Sequence, residues 1–154
     1  SKGNKEVHLD MPIKSFRGML ADTEIETIRL STNNGLTGYK IKKFQLFVAG
    51  DFGTVAQESL VQLYTVPQTA AKATTSFDDP TLLACALLTT NTSPAYPTVQ
   101  DVVFDSVAIN QDIYITHVEN NGSQSINYHL ELEQIKLSSD EAAVATLKDM
   151  RGRE

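Results

Sequence analysis

Residues 112–137 constrain the fold of this chain more than any other stretch. Two arms, 112–119 and 125–137, are rich in β-branched and aromatic residues such as Ile113, Tyr114, Ile115, Val118, Ile126 and Tyr128. Such residues suit a pleated, half-buried surface. Between the arms lies a polar segment containing Asn121-Gly122, a pair that tolerates positive φ and reverses the chain. The reading is a long antiparallel hairpin with a five-residue loop. In the second arm Ile126, Tyr128, Leu130 and Leu132 alternate with Asn127, His129, Glu131 and Glu133, which is period two with one wet face. The phase slips after Glu133, where Ile135 and Leu137 are apolar. A β-bulge near Glu133-Gln134 would return both to the core side; the alternative is that the strand ends there. The first arm is apolar on both faces and belongs near the middle of a sandwich or at a contact.

Elsewhere the chain reads as short strands between turn signals. Residues 24–30 form one, with Ile28 and Leu30 on one face. The pair Asn34-Gly35 marks a turn. Residues 38–49 form a long strand in which Phe44, Leu46 and Val48 point one way and Tyr39, Ile41 and Phe47 the other. Residues 59–66 favour strand over helix because of Val61, Tyr64, Thr65 and Val66. Residues 82–88 are apolar throughout and fit a short helix capped by Asp79 or a buried strand; the global context favours strand. Residues 99–104 are a further strand, and 106–109 an edge or a turn. Seven or eight strands without strand–helix alternation predict an all-β antiparallel sandwich, with the jelly roll as a specific form.

The ends differ from the middle. Residues 1–20 read as an N-terminal arm, because Phe16, Met19 and Leu20 show no clean period. Residues 21–137 form the β-sandwich domain. Residues 138–154 form a short C-terminal helical tail: Ser138 and Glu141 have capping-box spacing, and Val144, Leu147 and Met150 form one apolar stripe. Such a short helix is marginal alone, so the stripe is expected to dock.

Composition excludes some classes. Thirteen basic and nineteen acidic side chains give a net charge of −6, against direct nucleic-acid binding, which needs a basic stripe. Lys40, Lys42 and Lys43 read as a solvated edge. No apolar run reaches the roughly 20 residues needed to span a bilayer, so membrane insertion is not expected. The polar start Ser1-Lys2-Gly3-Asn4 carries no signal-peptide pattern. Cys85, the single cysteine, lies among Leu82, Leu83, Leu87 and Leu88 and reads as a buried, inert thiol.

Several constellations bear on chemistry. In the hairpin register His117 and His129 share a face with Glu119 and Glu131 nearby, a set able to hold a transition metal; solvated polar-face histidines are the simpler reading. Asp78, Asp79, Asp101 and Asp105 lack the oxygen spacing of a calcium loop. No serine sits in a Gly-x-Ser-x-Gly elbow. Gly35-Leu36-Thr37-Gly38 lacks the length and lysine of a phosphate loop. Tyr64, Phe77, Tyr96 and Tyr114 are candidates for a carbohydrate groove. The expectation is therefore no enzyme, no catalytic, cofactor-binding or metal site residue, and no cofactor.

Residues 58–64, 110–117, 127–133 and 145–151 carry a resemblance that covers most of the chain after residue 40. In these segments the chain resembles small β-sandwich structural and decoration proteins on the virions of aquatic bacteriophages. The resemblance implies a capsid, decoration or spike role in the virion, with homo-oligomeric contacts and other virion proteins as partners. It carries over no functional residue. A carbohydrate- or receptor-binding β-sandwich module is the alternative.

Overall fold

A computed structural model describes residues 12–51, 53–54, 56–92 and 98–150. They form eight strands and one helix: β1 (Ile13–Leu20), β2 (Ile25–Ile28), β3 (Thr37–Val48), β4 (Gln57–Tyr64), β5 (Leu82–Thr90), β6 (Val99–Phe104), β7 (Ile113–Glu119), β8 (Ile126–Lys136) and α1 (Ser139–Asp149). The strands make two antiparallel sheets, a three-stranded sheet in the order β1-β8-β3 and a five-stranded sheet in the order β2-β7-β4-β5-β6. The all-β class, the packed sheets and the short C-terminal helix are as the sequence predicts. So is the strand assignment of residues 82–88.

The expected hairpin does not form. β7 pairs with β2 and β4, while β8 pairs with β1 and β3. Each arm is central in its own sheet, so each edge of each arm already has a partner and none is left for the other. The loop between them is an arch from one sheet to the other. Gly122 adopts the positive φ foreseen for it, +109°, but the chain turns across the core rather than within a sheet. Glu119 pins this arch. Its carboxylate, 5% exposed, accepts from the backbone N–H groups of Glu58 at 2.8 Å and Asn121 at 3.0 Å.

The core lies between the sheets. Ile126, Tyr128, Leu130 and Leu132 of β8 face Ile113 and Ile115 of β7, Val61 and Leu63 of β4, and Ala84, Ala86 and Leu88 of β5. Burying one Leu or Ile side chain contributes about 1.5–3 kcal/mol. The phase problem in β3 is solved by a register shift between Ile41 and Lys43. The extra residue, Lys42, lets Tyr39 and Ile41 share the inner face with Phe44 and Leu46, and all four are buried. The bulge is thus in β3, opposite Leu132 and Glu131, not at Glu133-Gln134 of β8. It also sets Lys40 and Lys43 across from Glu133 and Glu131.

Residues 13–20 are strand β1, not arm. Phe16 and Leu20 face the core, and Ile13 and Met19 face outward, 50% and 55% exposed. Gly18 allows a close approach, since a Cβ there would lie 3.0 Å from the Tyr128 ring and press against it. Residues 1–11 lie outside the described residues.

The helix begins as expected: the Ser138 hydroxyl accepts from Glu141 N–H, and Glu141 Oε1 accepts from Ser138 N–H. Those hydrogen bonds hold the Glu141 carboxyl below the usual carboxylate range. Its docking face is not the expected one. Ala142, Ala145 and Asp149 are buried, whereas Val144, Leu147 and Met150 are 58%, 72% and 43% exposed. Small alanines let the helix lie close over Leu137, Leu36, Ala108 and Ile135. Ile135 therefore stays on the outer face of β8 and is covered by the helix. That cover, not a bulge in β8, accounts for the phase slip. A polar latch completes the contact. The two protons of the buried Asn110 side-chain NH2 are shared among Gly35 O at 3.0 Å, Ala142 O at 3.1 Å and Thr146 Oγ1 at 2.8 Å, and Asn110 N–H donates to Asp149 Oδ2 at 2.9 Å.

Candidate functional site

The histidines able in principle to bind a metal are separated by the fold. His117 is fully buried in the five-stranded sheet, and His129 lies on the outer face of the three-stranded sheet. The His117 Nδ1 lies 3.1 Å from Leu20 O and 3.0 Å from Ala21 O. Only a protonated Nδ1 can satisfy these carbonyls, and Nε2 lies within hydrogen-bond distance of Ser59 Oγ, at 2.9 Å. His117 is thus a structural tie, and its expected face-sharing with His129 is corrected by the split of the arms. His129 Nε2 instead meets Glu131 Oε2 at 3.1 Å. Asp79 Oδ1 accepts from Thr81 N–H at 2.8 Å and Thr81 Oγ1–H at 2.6 Å, closing a turn. Among the described residues no group of three or more His, Cys, Asp or Glu side chains is placed to hold a metal ion.

The expected aromatic groove is also redistributed. Tyr64 and Tyr114 are cross-strand neighbours, but Tyr64 is 2% exposed. The segment between β4 and β5 folds over this face. Gln62 Nε2 donates to Lys72 O at 3.0 Å and Thr74 O at 3.3 Å, and the Lys72 ammonium sits 5.5 Å from the Tyr64 ring centre. Burial, then the charges of Asp79 and Cys85, push the Tyr64 hydroxyl pKa up. Phe77 is exposed on that segment, and Tyr96 lies outside the described residues. Cys85 is half-buried on the outer face of β5, beside Val103 of β6. Burial pushes its thiol pKa up, away from the reactive thiolate.

The open surface lies on the other sheet. Register places Met19, Asn127 and Phe47 in one row across β1, β8 and β3, and Arg17, His129 and Gln45 in the next. Strands are about 4.8 Å apart, so each row spans about 10 Å. These six side chains line a depression of about 680 Å³. Phe47 is 68% exposed, a large apolar side chain standing in water beside polar ones. It points outward because alternation after the Lys42 bulge sends Phe44 and Leu46 inward.

Two of the polar groups are held in place. Asn127 Nδ2 donates to Val48 O at 3.1 Å, which leaves its amide oxygen toward solvent. Gln100 reaches across from β6, and its Oε1 accepts from Leu46 N–H at 3.1 Å. That bond caps the free edge of β3 and leaves the Gln100 NH2 group to donate. Gly18 and Tyr128 form part of the floor, with the Tyr128 ring packed close beneath Gly18. Tyr128 Oη donates to Glu26 Oε1 at 3.3 Å. Burial, then the Glu26 charge and this hydrogen bond, push the Tyr128 pKa up to about 12.

The sequence reading missed Arg17, Met19, Gln45 and Phe47 as a group. One signal was present: Phe47 falls opposite Phe44 and Leu46 in the alternation of this strand. What joins it to Arg17 is the pairing of both flanking strands with β8, which no local pattern encodes. No protein-family model, curated protein or solved structure matches this chain, so its function is read from the chemistry of this surface.

Proposed function

We propose that this protein is a non-catalytic carbohydrate- or receptor-binding β-sandwich module that uses the outer face of its three-stranded sheet. The carrying observation is the solvent-exposed Phe47 ring standing in one row with Asn127 and next to Gln45 and Arg17. An aromatic face gives an apolar ligand surface a platform, and fixed amides supply oriented donors and acceptors for hydroxyl groups. Strand order supports a jelly-roll reading. β1-β8-β3 faces β2-β7-β4-β5 as two such runs would, and β6 departs by bonding to β5 instead of completing the smaller sheet. Jelly rolls serve as lectin domains and as capsid domains, so the surface, not the fold, carries the choice. Screening the full chain against an immobilised glycan panel tests the reading. Retained fold with lost binding in Phe47→Ala supports it; binding that survives both Phe47→Ala and Asn127→Ala places the ligand elsewhere and overturns it.

A second reading has its own observation. The stripe Val144, Leu147 and Met150 is exposed on α1, and burial against a neighbouring copy would suit a homo-oligomeric virion structural or decoration protein. Light scattering after size-exclusion chromatography checks this. A defined oligomer that Leu147→Glu converts to monomer supports assembly, and a monomer at high concentration removes it.

A further inference from the structure

We propose that the ligand of the open face is an acidic saccharide, its carboxylate held by Arg17 and a sugar ring face laid on Phe47. This deepens the binding-module reading and rests on it.

The first argument is charge. The chain carries −6 overall, yet no carboxylate side chain lines the depression, while the Arg17 guanidinium does. A hollow with an arginine and no carboxylate side chain, on a chain of net negative charge, is complementary to an anion. The second argument is availability. Among the described residues the Arg29 guanidinium meets Asp112 at 3.8 Å and the His129 ring meets Glu131 at 3.1 Å. Arg17 takes part in neither, so its guanidinium keeps the planar fork that matches a carboxylate through two parallel hydrogen bonds. The neighbouring Glu131 is occupied by His129, which limits its competition for Arg17.

The third argument is the rest of the hollow. Phe47 and Met19 flank Asn127 on the row next to Arg17. An anion alone needs no exposed aromatic platform. A ligand with one charged corner, an apolar ring face and several hydroxyls uses all of it: Arg17 for the carboxylate, Phe47 for the ring face, and Asn127, Gln45 and Gln100 for hydroxyls. A uronic or sialic acid unit has that pattern.

The test is ¹H–¹⁵N titration of the full chain with uronic- and sialic-acid oligosaccharides, their neutral or carboxyl-reduced counterparts, and tetraglutamate. The expected result is that one acidic oligosaccharide shifts the amides of Arg17, Phe47 and Asn127 and binds about tenfold or more tightly than its neutral counterpart, as a charge-assisted pair would give. Arg17→Gln should abolish that preference, and Phe47→Ala should weaken acidic and neutral forms alike. Both side chains are exposed, and unchanged thermal midpoints will show that the variants fold. Equal binding of neutral and acidic forms, unaffected by Arg17→Gln, overturns the acidic assignment and leaves the carbohydrate reading standing. Equal binding of tetraglutamate, indifferent to Phe47→Ala, shows a peptide carboxylate site and overturns it too. No shift on this face with any ligand defeats both the assignment and the module.

Discussion

On the five-stranded sheet, the side chains pointing away from the core at Gln62 and Tyr64 are 1% and 2% exposed, as hidden as the core itself. On the three-stranded sheet the corresponding outward positions hold Phe47, Arg17 and Gln45 in solvent. The difference comes from the segment that leaves the end of each central strand. Residues 65–81, after β4, are long enough to fold back over their own sheet and be tied there by Gln62. After β8 comes α1, which covers only the Ile135–Leu137 end. One sheet therefore has the middle of its outer face covered, and the other leaves its outer face open to solvent.

Substitutions can break this contrast. The largest effect is expected where the helix is latched. Asn110→Ala removes two amide N–H donors shared among three acceptors, and each acceptor left without a partner costs about 1–3 kcal/mol, so a loss of about 3 kcal/mol should appear in urea unfolding. An unchanged midpoint would mean that the helical cover adds nothing to the fold. Next is Gln62→Ala on the closed face. It should cost about 1–2 kcal/mol and speed amide exchange across residues 67–80; slow exchange there would show that other contacts hold the segment.

Third is Tyr128→Phe beneath the open face, which should cost about 1 kcal/mol at neutral pH. Its sharper readout is in alkali. Because the folded pKa of Tyr128 is raised to about 12, its stabilising effect is fully present below the ordinary tyrosine pKa of about 10 and is lost as pH rises through about 12. The wild type should lose stability across that window more steeply than the variant, and parallel curves would refute the raised pKa. The smallest effect is expected for Phe47→Ala, within about 0.5 kcal/mol as for an exposed site. A larger loss would place Phe47 in the structural account and remove it from the binding one.

Much of this organisation was legible in the chain. Alternation in residues 126–132 identified the inner and outer faces of β8, and the Ser138–Glu141 box marked the helix start. Such signals are local, and local spacing transmits them. The pairing of strands is not local. Residues 112–137 read as a hairpin because two strand-like arms flank Asn121-Gly122, and an arch between sheets uses the same residues. What separates the two outcomes is the supply of other partners: β2 and β4 for one arm, β1 and β3 for the other. The helix stripe misled for a related reason. Val144, Leu147 and Met150 have the greater apolar area, but the surface around Leu36 and Leu137 is close enough to the backbone that alanines fit it. The open face combined both difficulties, since Phe47 announced itself locally and its companions did not.

The place of β8 in the chain has a consequence for synthesis. It is the last of the described strands to be made, yet it is the middle of its sheet, and neither β1 nor β3 has another partner there among the described residues. Until residue 136 leaves the ribosome, both strands must wait with unpaired edges. At about 5–20 residues per second, the wait after Val48 is on the order of ten seconds. Unpaired apolar strands held that long are exposed to aggregation. A nascent chain arrested before Ile126 should therefore associate with chaperones, and one extended past Lys136 should be released from them.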